Sequence, residues 1–517
     1  MIATVEQAET GSAAPGAWPA AAALPLPQVA GRRPADVAES FRDLPGLALL
    51  ESARIGGAAR WSWLVADPVA RLQGPSPGSD PFSGARAQLA RLATEAGSGG
   101  AEAPPFRGGL VGYLGYGLRE ALEPRLAGPG SGPRSALPDL WLGLYDWAIG
   151  WDRRTGRAWL AGCAVDGDWQ RLRRRLGEVL ERLTSAPDDA QGEPAPPLGH
   201  PGRLEFVSNL SRSAYEAAVE RTRAAIAAGE IYQANVARRL STPFTGDPWP
   251  LYRRLRDGDP ALNAAFLDLG LDLDRPEAGA GAATRADAPA APVRPSGSAG
   301  PRAIVSASPE GFLSIDARGL VTTRPIKGTR PRGRDRAEDR RLAAELLASA
   351  KDRAENVMIV DVLRNDLGRV CRPGSVRVPR LCRLERTDAV QHLVSTVTGR
   401  LRPDADPFDL LAAAFPGGSI TGAPRIRAME LIAELEPVAR GPYTGALGWI
   451  GPDGAMSTSI LIRTFVADGR TLSLHVGGGI TWRSDPSAEW EETVAKAGGP
   501  LRAIGGHEID PTRAVGA

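Results

Sequence analysis

Short apolar stretches cut by glycine and proline constrain this chain most. Residues 47–50, 61–65, 108–116 and 140–151 are such stretches, and the pattern returns at 231–240, 303–306, 311–315, 390–401, 445–450, 459–466 and 472–476. Runs of about four to eight apolar residues bounded by turn formers are strand signals. Helical periodicity is clear at 212–228, 337–369 and 424–435. Ser211 offers the first of these a cap and Gly229 a stop. Strands in runs, with helices inserted at intervals rather than in strict alternation, predict an α+β architecture of antiparallel sheets.

Composition shifts divide the chain. Residues 1–36 are rich in Ala, Pro and Gly with little periodicity, so ordering them would cost entropy while burying little; a flexible arm is expected. Residues 185–202 and 271–301 have the same character, and are expected as a linker and as an insertion from a loop tip. An N-terminal region at 37–184, a main domain at 203–505 and a tail at 506–517 remain. Over 517 residues, 62 Lys+Arg against 60 Asp+Glu give a net charge of +2, which counts against a surface built for nucleic acid. No basic residue precedes Arg32 and no run reaches about 18 apolar residues, so neither export nor a membrane span is expected. Cys163, Cys371 and Cys382 are scattered, form no CxxC pair and fit a reducing cytoplasm.

Four local features could carry chemistry. In Arg324-Pro325-Ile326-Lys327-Gly328-Thr329-Arg330-Pro331-Arg332-Gly333 a single lysine sits among arginines. Like-charge repulsion would push its amine toward the neutral, nucleophilic form, although such a segment is more often a basic loop that binds phosphate backbones or nothing at all. Asp352 with Glu355, and Glu489 with Glu492, are spaced to share a helix face. Two such helices converging could supply the few hard oxygen ligands Mg²⁺ takes from protein, while the bland alternative is solvated surface. Phe415-Pro416-Gly417-Gly418-Ser419-Ile420-Thr421-Gly422-Ala423-Pro424 precedes a helix and is either an anion cradle of backbone N–H groups or a plain turn with its cap. Gly477-Gly478-Gly479 closes a strand near Arg463, permitting close backbone approach and a carboxylate fork, or simply a turn and a surface arginine. Together they suggest a small poly-carboxylated substrate held by Mg²⁺, backbone amides and arginine, with a lysine beside it.

These strings resemble those of the chorismate-binding enzymes, the family of anthranilate synthase and aminodeoxychorismate synthase component I. The resemblance is carried by Gly229-Glu230-Ile231-Tyr232-Gln233-Ala234-Asn235, Ser308-Pro309-Glu310, the lysine segment, Asp352-Arg353-Ala354-Glu355-Asn356, Arg364-Asn365-Asp366, the 415–424 loop, Arg463-Thr464 and Glu489-Trp490-Glu491-Glu492-Thr493. Leu50-Glu51-Ser52, Gly109-Leu110-Val111-Gly112-Tyr113 and Leu144-Tyr145-Asp146 are similar to the family's regulatory portion, so 37–184 is expected to be regulatory-like and 203–505 catalytic. The resemblance implies large antiparallel sheets packed face to face with helices outside.

It also implies roles. Anthranilate synthases characteristically carry alanine where this chain has Lys327, and aminodeoxychorismate synthases carry lysine, so amination of chorismate to 4-amino-4-deoxychorismate, the precursor of p-aminobenzoate, is expected. Gln233 stands where water-adding relatives place a general-base lysine, and disfavours those activities. The resemblance casts Lys327 as nucleophile, Glu310 as acid and His392 beside the ring. Gly328, Thr421, Gly422, Tyr443, Arg463, Gly478, Gly479 and Lys496 become substrate contacts, and Glu355, Glu492, Asp352 and Glu489 surround Mg²⁺. Relatives bind tryptophan in the N-terminal region, which makes it a candidate ligand near Leu50, Glu51 and Ser52. No Gly-x-Cys-x-Gly nucleophile turn is present, so ammonia is expected from a separate glutamine amidotransferase subunit. The rival activities are anthranilate synthase, 2-amino-2-deoxyisochorismate synthase and, from another class, a nucleic-acid module using the 324–336 basic cluster. The resemblance departs at Asp259-Pro260-Ala261-Leu262-Asn263, where relatives carry a Pro-x-Pro-Tyr/Phe string.

Overall fold

Alternation along single strands sets the layers of this computed structural model, which describes residues 23–54, 60–78, 80–93, 104–126, 135–185, 203–270, 300–387 and 390–509. In the strand Trp61–Val65, Trp63 and Val65 join a buried cluster with Tyr113, Trp141, Tyr145, Ile304 and Trp449, while Leu64 joins Leu49, Ile149 and Phe266 on the other face. Gly109–Leu114 behaves alike, sending Val111 and Tyr113 to that shared cluster and Leu110 and Leu114 away from it. Residues two apart share a strand face, so the common cluster is the seam between two sheets packed face to face. Helices cover the outer faces: Trp169–Ser185, Trp249–Gly258 and Pro486–Ala503 on one side, Ala350–Gly368 and Pro407–Ala414 on the other. Truncating a seam residue such as the fully buried Trp141 would cost about 3–5 kcal/mol.

Among the described residues the two large sheets have 13 and 10 strands, beside a third of two strands, and the pairings are antiparallel except for Leu204–Ser208 with Gly506–Ile509. The expected α+β class with large antiparallel sheets and outer helices holds. Both sheets are built jointly by the two expected halves. Ala48–Glu51 pairs with Asn263–Asp268 in the larger sheet, and Gly109–Leu114 with Ala446–Ile450 in the smaller. Residues 37–184 and 203–505 therefore do not own separate cores.

Three expectations need correction. The loose arm is ordered from Ala23: Ala23–Pro25 pairs with Arg157–Gly162, and the short helices Pro27–Ala30 and Pro34–Ala38 bury Leu26, Val29, Ala35, Val37 and Ala38. The tail begins later than 506, because Gly506–Ile509 extends the larger sheet. The helical stretch 337–369 is two helices, Arg336–Ala348 and Ala350–Gly368, broken at Ser349, which adopts ψ 105° and caps the second. Residues 1–22, 186–202, 271–299 and 510–517 lie outside the described residues. No helix among the described residues is long and apolar enough to cross a membrane.

Candidate active site

Lys327 stands in Ile326–Pro331, which runs along Val390–Arg400 with a register shift between Lys327 and Thr329. Gly328 makes the shift at φ +78°, backbone that glycine adopts without strain. A Cβ there would lie 2.8 Å from Asp352 Cβ, so the helix Ala350–Gly368 packs this close only against glycine. Lys327 Nζ donates to the Ser419 carbonyl at 3.3 Å.

Glu310 follows the strand Arg302–Ser308 and is 8% exposed. Burial pushes its carboxyl up to about 7, against the pull of the Lys327 ammonium and of hydrogen bonds from Ser419 and the Ile326 N–H. A carboxyl half-protonated near neutrality beside an amine is suited to general acid work.

Two helix starts deliver the carboxylates. Ser349 Oγ accepts from Asp352 N–H at 3.2 Å, setting Asp352 and Glu355 at the start of their helix, and Asp485 caps the helix of Glu489 and Glu492. Burial raises the Glu355 carboxyl, Lys327 and Lys351 oppose this, and Asp352 and Glu489 add to it. Burial also raises Glu489, with Ser484 bonding against it and Glu492 adding to it. Burial works against ionisation of Glu492 too, but Lys496 at 2.7 Å carries it below its ordinary value. Lys496 also donates to the Gly477 carbonyl at 2.8 Å, so its ammonium is engaged by protein groups.

No three or more His, Cys, Asp or Glu side chains among the described residues are gathered as a metal cluster. Mg²⁺ requires less, taking one or two carboxylates and completing its shell with water and substrate oxygens. Glu355 Oε1 is buried without a hydrogen-bond partner, and its carboxylate is repelled by Asp352 and Glu489. Both observations fit a divalent cation.

Glycines 478 and 479 look in two directions. A Cβ on Gly478 would lie 2.9 Å from Glu489 Oε2; one on Gly479 would lie 2.0 Å from Gln233 Nε2 and 3.7 Å from Lys327 Nζ. The strand Thr471–Ile480 thus touches the carboxylates on one side and the lysine on the other. Gly422, at φ +146°, would drive a Cβ to 2.1 Å from the Gln233 carbonyl, so the loop meets Gln233–Pro243 only as glycine. Thr421 spends its hydroxyl proton on the Gly417 carbonyl at 2.9 Å.

His392 and Arg463 line a cleft of about 460 Å³ together with Ile326, Arg54 and Asp259. His392 Nδ1 is 2.9 Å from Thr329 Oγ1; burial, aided by Arg463 and Arg54, lowers its ring to about 4, so it is neutral at pH 7. Arg463 holds φ +50°, a strained value for a side-chain-bearing residue, and its carbonyl accepts from Ala307 N–H at 3.1 Å. Tyr443, expected against substrate, is 4% exposed; it stacks on His475 at 5.0 Å, with Arg440 5.5 Å from its ring centre. The departing segment 259–263 forms one wall of the cleft. A second cavity, about 350 Å³, lies between the sheets beside Leu50, Ser52 and Trp449; Glu51 there is paired with Arg256 at 2.7 Å and bonded by Tyr252.

Sequence reasoning missed Ser419, whose carbonyl and hydroxyl serve Lys327 and Glu310; nothing in the string Gly-Ser-Ile distinguishes it. Lys351 could have been found, since it sits one helical turn before Glu355. Arg440 carried no local signal, yet it donates to Glu436 and to the carbonyls of Ile420 and Asn235.

Residues 52–502 match the family described as chorismate binding enzyme. Anthranilate synthase component 1 of Streptomyces coelicolor is 40% identical over 468 residues, covering 88% of this chain and 83% of that protein. Aminodeoxychorismate synthase component 1 of Salmonella typhimurium is 39% identical over 397 residues, covering 76% of each. The crystal structure of anthranilate synthase component I from Streptococcus pneumoniae superposes with a TM-score of 0.70 at 28% identity, over 87% of this chain and 93% of that one.

Proposed function

The chain belongs to the chorismate-binding enzymes, and from that premise we propose that it is the aminodeoxychorismate synthase type, converting chorismate and ammonia to 4-amino-4-deoxychorismate. The observation that carries this reading is the juxtaposition of Lys327 and Glu310, an amine and a proton donor that feel each other's charge and both bond to Ser419. In an enzyme that aminates carbon 2 directly, a nucleophilic lysine at this point has no task. In one that aminates carbon 4 it has a definite one.

With its proton given up to solvent, the Lys327 amine attacks ring carbon 2; the ring double bond shifts and the 4-hydroxyl departs as water with the Glu310 proton. Ammonia then bonds to carbon 4, the double bond shifts back and expels the Lys327 nitrogen, the proton lost by the new amine ends on the released lysine, and Glu310 takes its proton back from solvent. Two allylic shifts return nitrogen to the carbon that lost oxygen. Glu355 and Glu492, with Asp352 and Glu489 beside them, would hold Mg²⁺, which when bound supplies Lewis acidity toward the ring carboxylate. Arg463 offers a fork for the side-chain carboxylate, Gly479 leaves room beside Lys327, and neutral His392 offers a hydrogen bond near the ring. Ammonia comes from solution or from a glutamine amidotransferase subunit, and the reading includes a cytoplasmic location, supported by three buried unpaired cysteines.

Anthranilate formation is the rival, favoured by the names of several relatives. Lys327→Ala separates the two. The carbon-4 product should disappear while some carbon-2 amination survives; full carbon-4 activity in the variant would refute the covalent route.

A further inference from the structure

Arg440 and Glu436 form an ion pair inside the protein, 3% and 8% exposed, just past the helix Arg425–Leu435. A buried ion pair stabilises little against apolar packing of the same volume, so this one is better explained by what its directional bonds hold. Arg440 bonds through Nε and Nη2 to Glu436 at 2.8 and 2.6 Å, through Nη1 to the Ile420 carbonyl at 3.1 Å and Thr444 Oγ1 at 3.2 Å, and through Nη2 to the Asn235 carbonyl at 2.6 Å. A guanidinium carries five N–H donors in a planar fork, so all of them are spent. The rings of Tyr116 and Tyr443, 4.7 and 5.5 Å away, hold its plane, and Glu436 accepts in turn from the Ala237 N–H at 2.9 Å.

The two carbonyls belong to the wall of the site. The Ile420 carbonyl also accepts from Asn235 Nδ2 at 3.2 Å, and the Thr421 carbonyl from the Asn235 N–H at 2.8 Å, so the segment after Ser419 is clamped to the strand Gln233–Pro243. Ser419 itself bonds to both reacting groups, to Lys327 Nζ through its carbonyl at 3.3 Å and to the Glu310 carboxyl through its side chain. Arg440 thus stands one residue behind the group that spaces acid and amine and, with its donors spent, bonds to neither of them.

We propose that Arg440 is a positioning residue that braces Ile420 and thereby sets Ser419 for the Lys327–Glu310 couple, a role that rests on the aminating reading above. Lysine cannot replace it. An ammonium would keep the charge beside Glu436, but with three donors and no plane it cannot serve the carboxylate, both carbonyls and Thr444 at once.

The test is Arg440→Lys in the full chain, assayed with chorismate, ammonium and Mg²⁺. It should lose about tenfold or more in kcat while KM for chorismate stays within about twofold of wild type. The alkaline limb of kcat/KM, where the Glu310 proton is lost, should move to higher pH. The groups that face the Glu310 carboxyl are Lys327, the Ser419 side chain and the Ile326 N–H, and the Ser419 bond favours ionisation, so a loosened Ser419 lets the acid form persist. A folded variant with wild-type kcat and an unmoved limb overturns the brace. So does a fall in kcat with the limb unmoved, which is what a general loss of stability would give. Should Arg440→Lys fold poorly by circular dichroism, Arg440→Met combined with Glu436→Gln removes both charges of the pair together and is judged by the same two readouts. Intact-mass measurement of wild type after chorismate and Mg²⁺ without ammonium reads the covalent step separately. Absence of a Lys327 adduct would condemn the covalent reading, while the kcat loss with the shifted limb would still uphold the brace, because Glu310 remains the acid.

Discussion

Glu310 and Lys327 are joined through one residue: Ser419 bonds to the Glu310 carboxyl with its side chain and accepts from Lys327 Nζ at 3.3 Å with its carbonyl. The acid lies just past the strand Arg302–Ser308 and the amine within Ile326–Pro331, and the segment Gly418–Ile420 sets their spacing.

A first consequence concerns pH. Burial holds Glu310 at about 7, above its ordinary 4.5, so its acid form is lost as pH rises through 7. kcat/KM should fall on that alkaline limb, and Glu310→Gln should lower it by about 10²–10⁴-fold and abolish the limb. The sign for stability follows: the protonated carboxyl favours the fold fully below 4.5, and this contribution fades as pH climbs to about 7. Above that, Glu310→Gln should be the more stable protein, by on the order of 3 kcal/mol. Melting curves at pH 5 and pH 8 check this; a variant equally destabilised at both would contradict it.

Glu355→Gln should separate stability from metal use. Removing a buried charge repelled by Asp352 and Glu489 should raise Tm in chelator, whereas the Mg²⁺ concentration for half-maximal activity should rise sharply. An unchanged Mg²⁺ dependence would remove Glu355 from the ligand set.

Gly328→Ala tests the bulge. The left-handed backbone costs a side chain about 1–2 kcal/mol, and the new Cβ would press on Asp352 Cβ 2.8 Å away. Both stability and activity should drop; a variant with wild-type Tm would show that the bulge is not fixed by glycine.

Asn356 pins the carboxylate helix to the strand of His392. Its Nδ2 donates to the Leu393 carbonyl at 3.1 Å, and its Oδ1 accepts from Ser395. Leu393 is also the cross-strand partner of Lys327. Asn356→Leu should cost about 1–3 kcal/mol by denaturant unfolding, from the buried polar groups left unpaired. A cost below 0.5 kcal/mol, roughly the level of a surface change, would contradict the pin.

Much of this was legible in the sequence for a physical reason. The strand Trp61–Val65 was read with its full bounds because its apolar run and its turns are local. Lys327 and the acidic couples stand out as residue types at a telling spacing, whereas Glu310 is singled out only by the family resemblance of Ser308-Pro309-Glu310. The break at Ser349 was not, because apolar periodicity continues through it and a serine becomes a cap only when the chain bends there. Residues 23–36 were misread because Leu26 and Val29 find their burial among Trp151, Leu160 and other residues far along the chain. Ser419 reaches Lys327 and Glu310 only once the loop 417–422 docks against Gln233–Pro243, a pairing across nearly 190 residues that no local pattern encodes.

The most direct measurement is the product itself. Purified chain with chorismate, ammonium and Mg²⁺ is analysed by chromatography and mass spectrometry, with a 4-amino-4-deoxychorismate lyase added to half the sample. The account predicts p-aminobenzoate in the lyase half alone; anthranilate in both halves would contradict it.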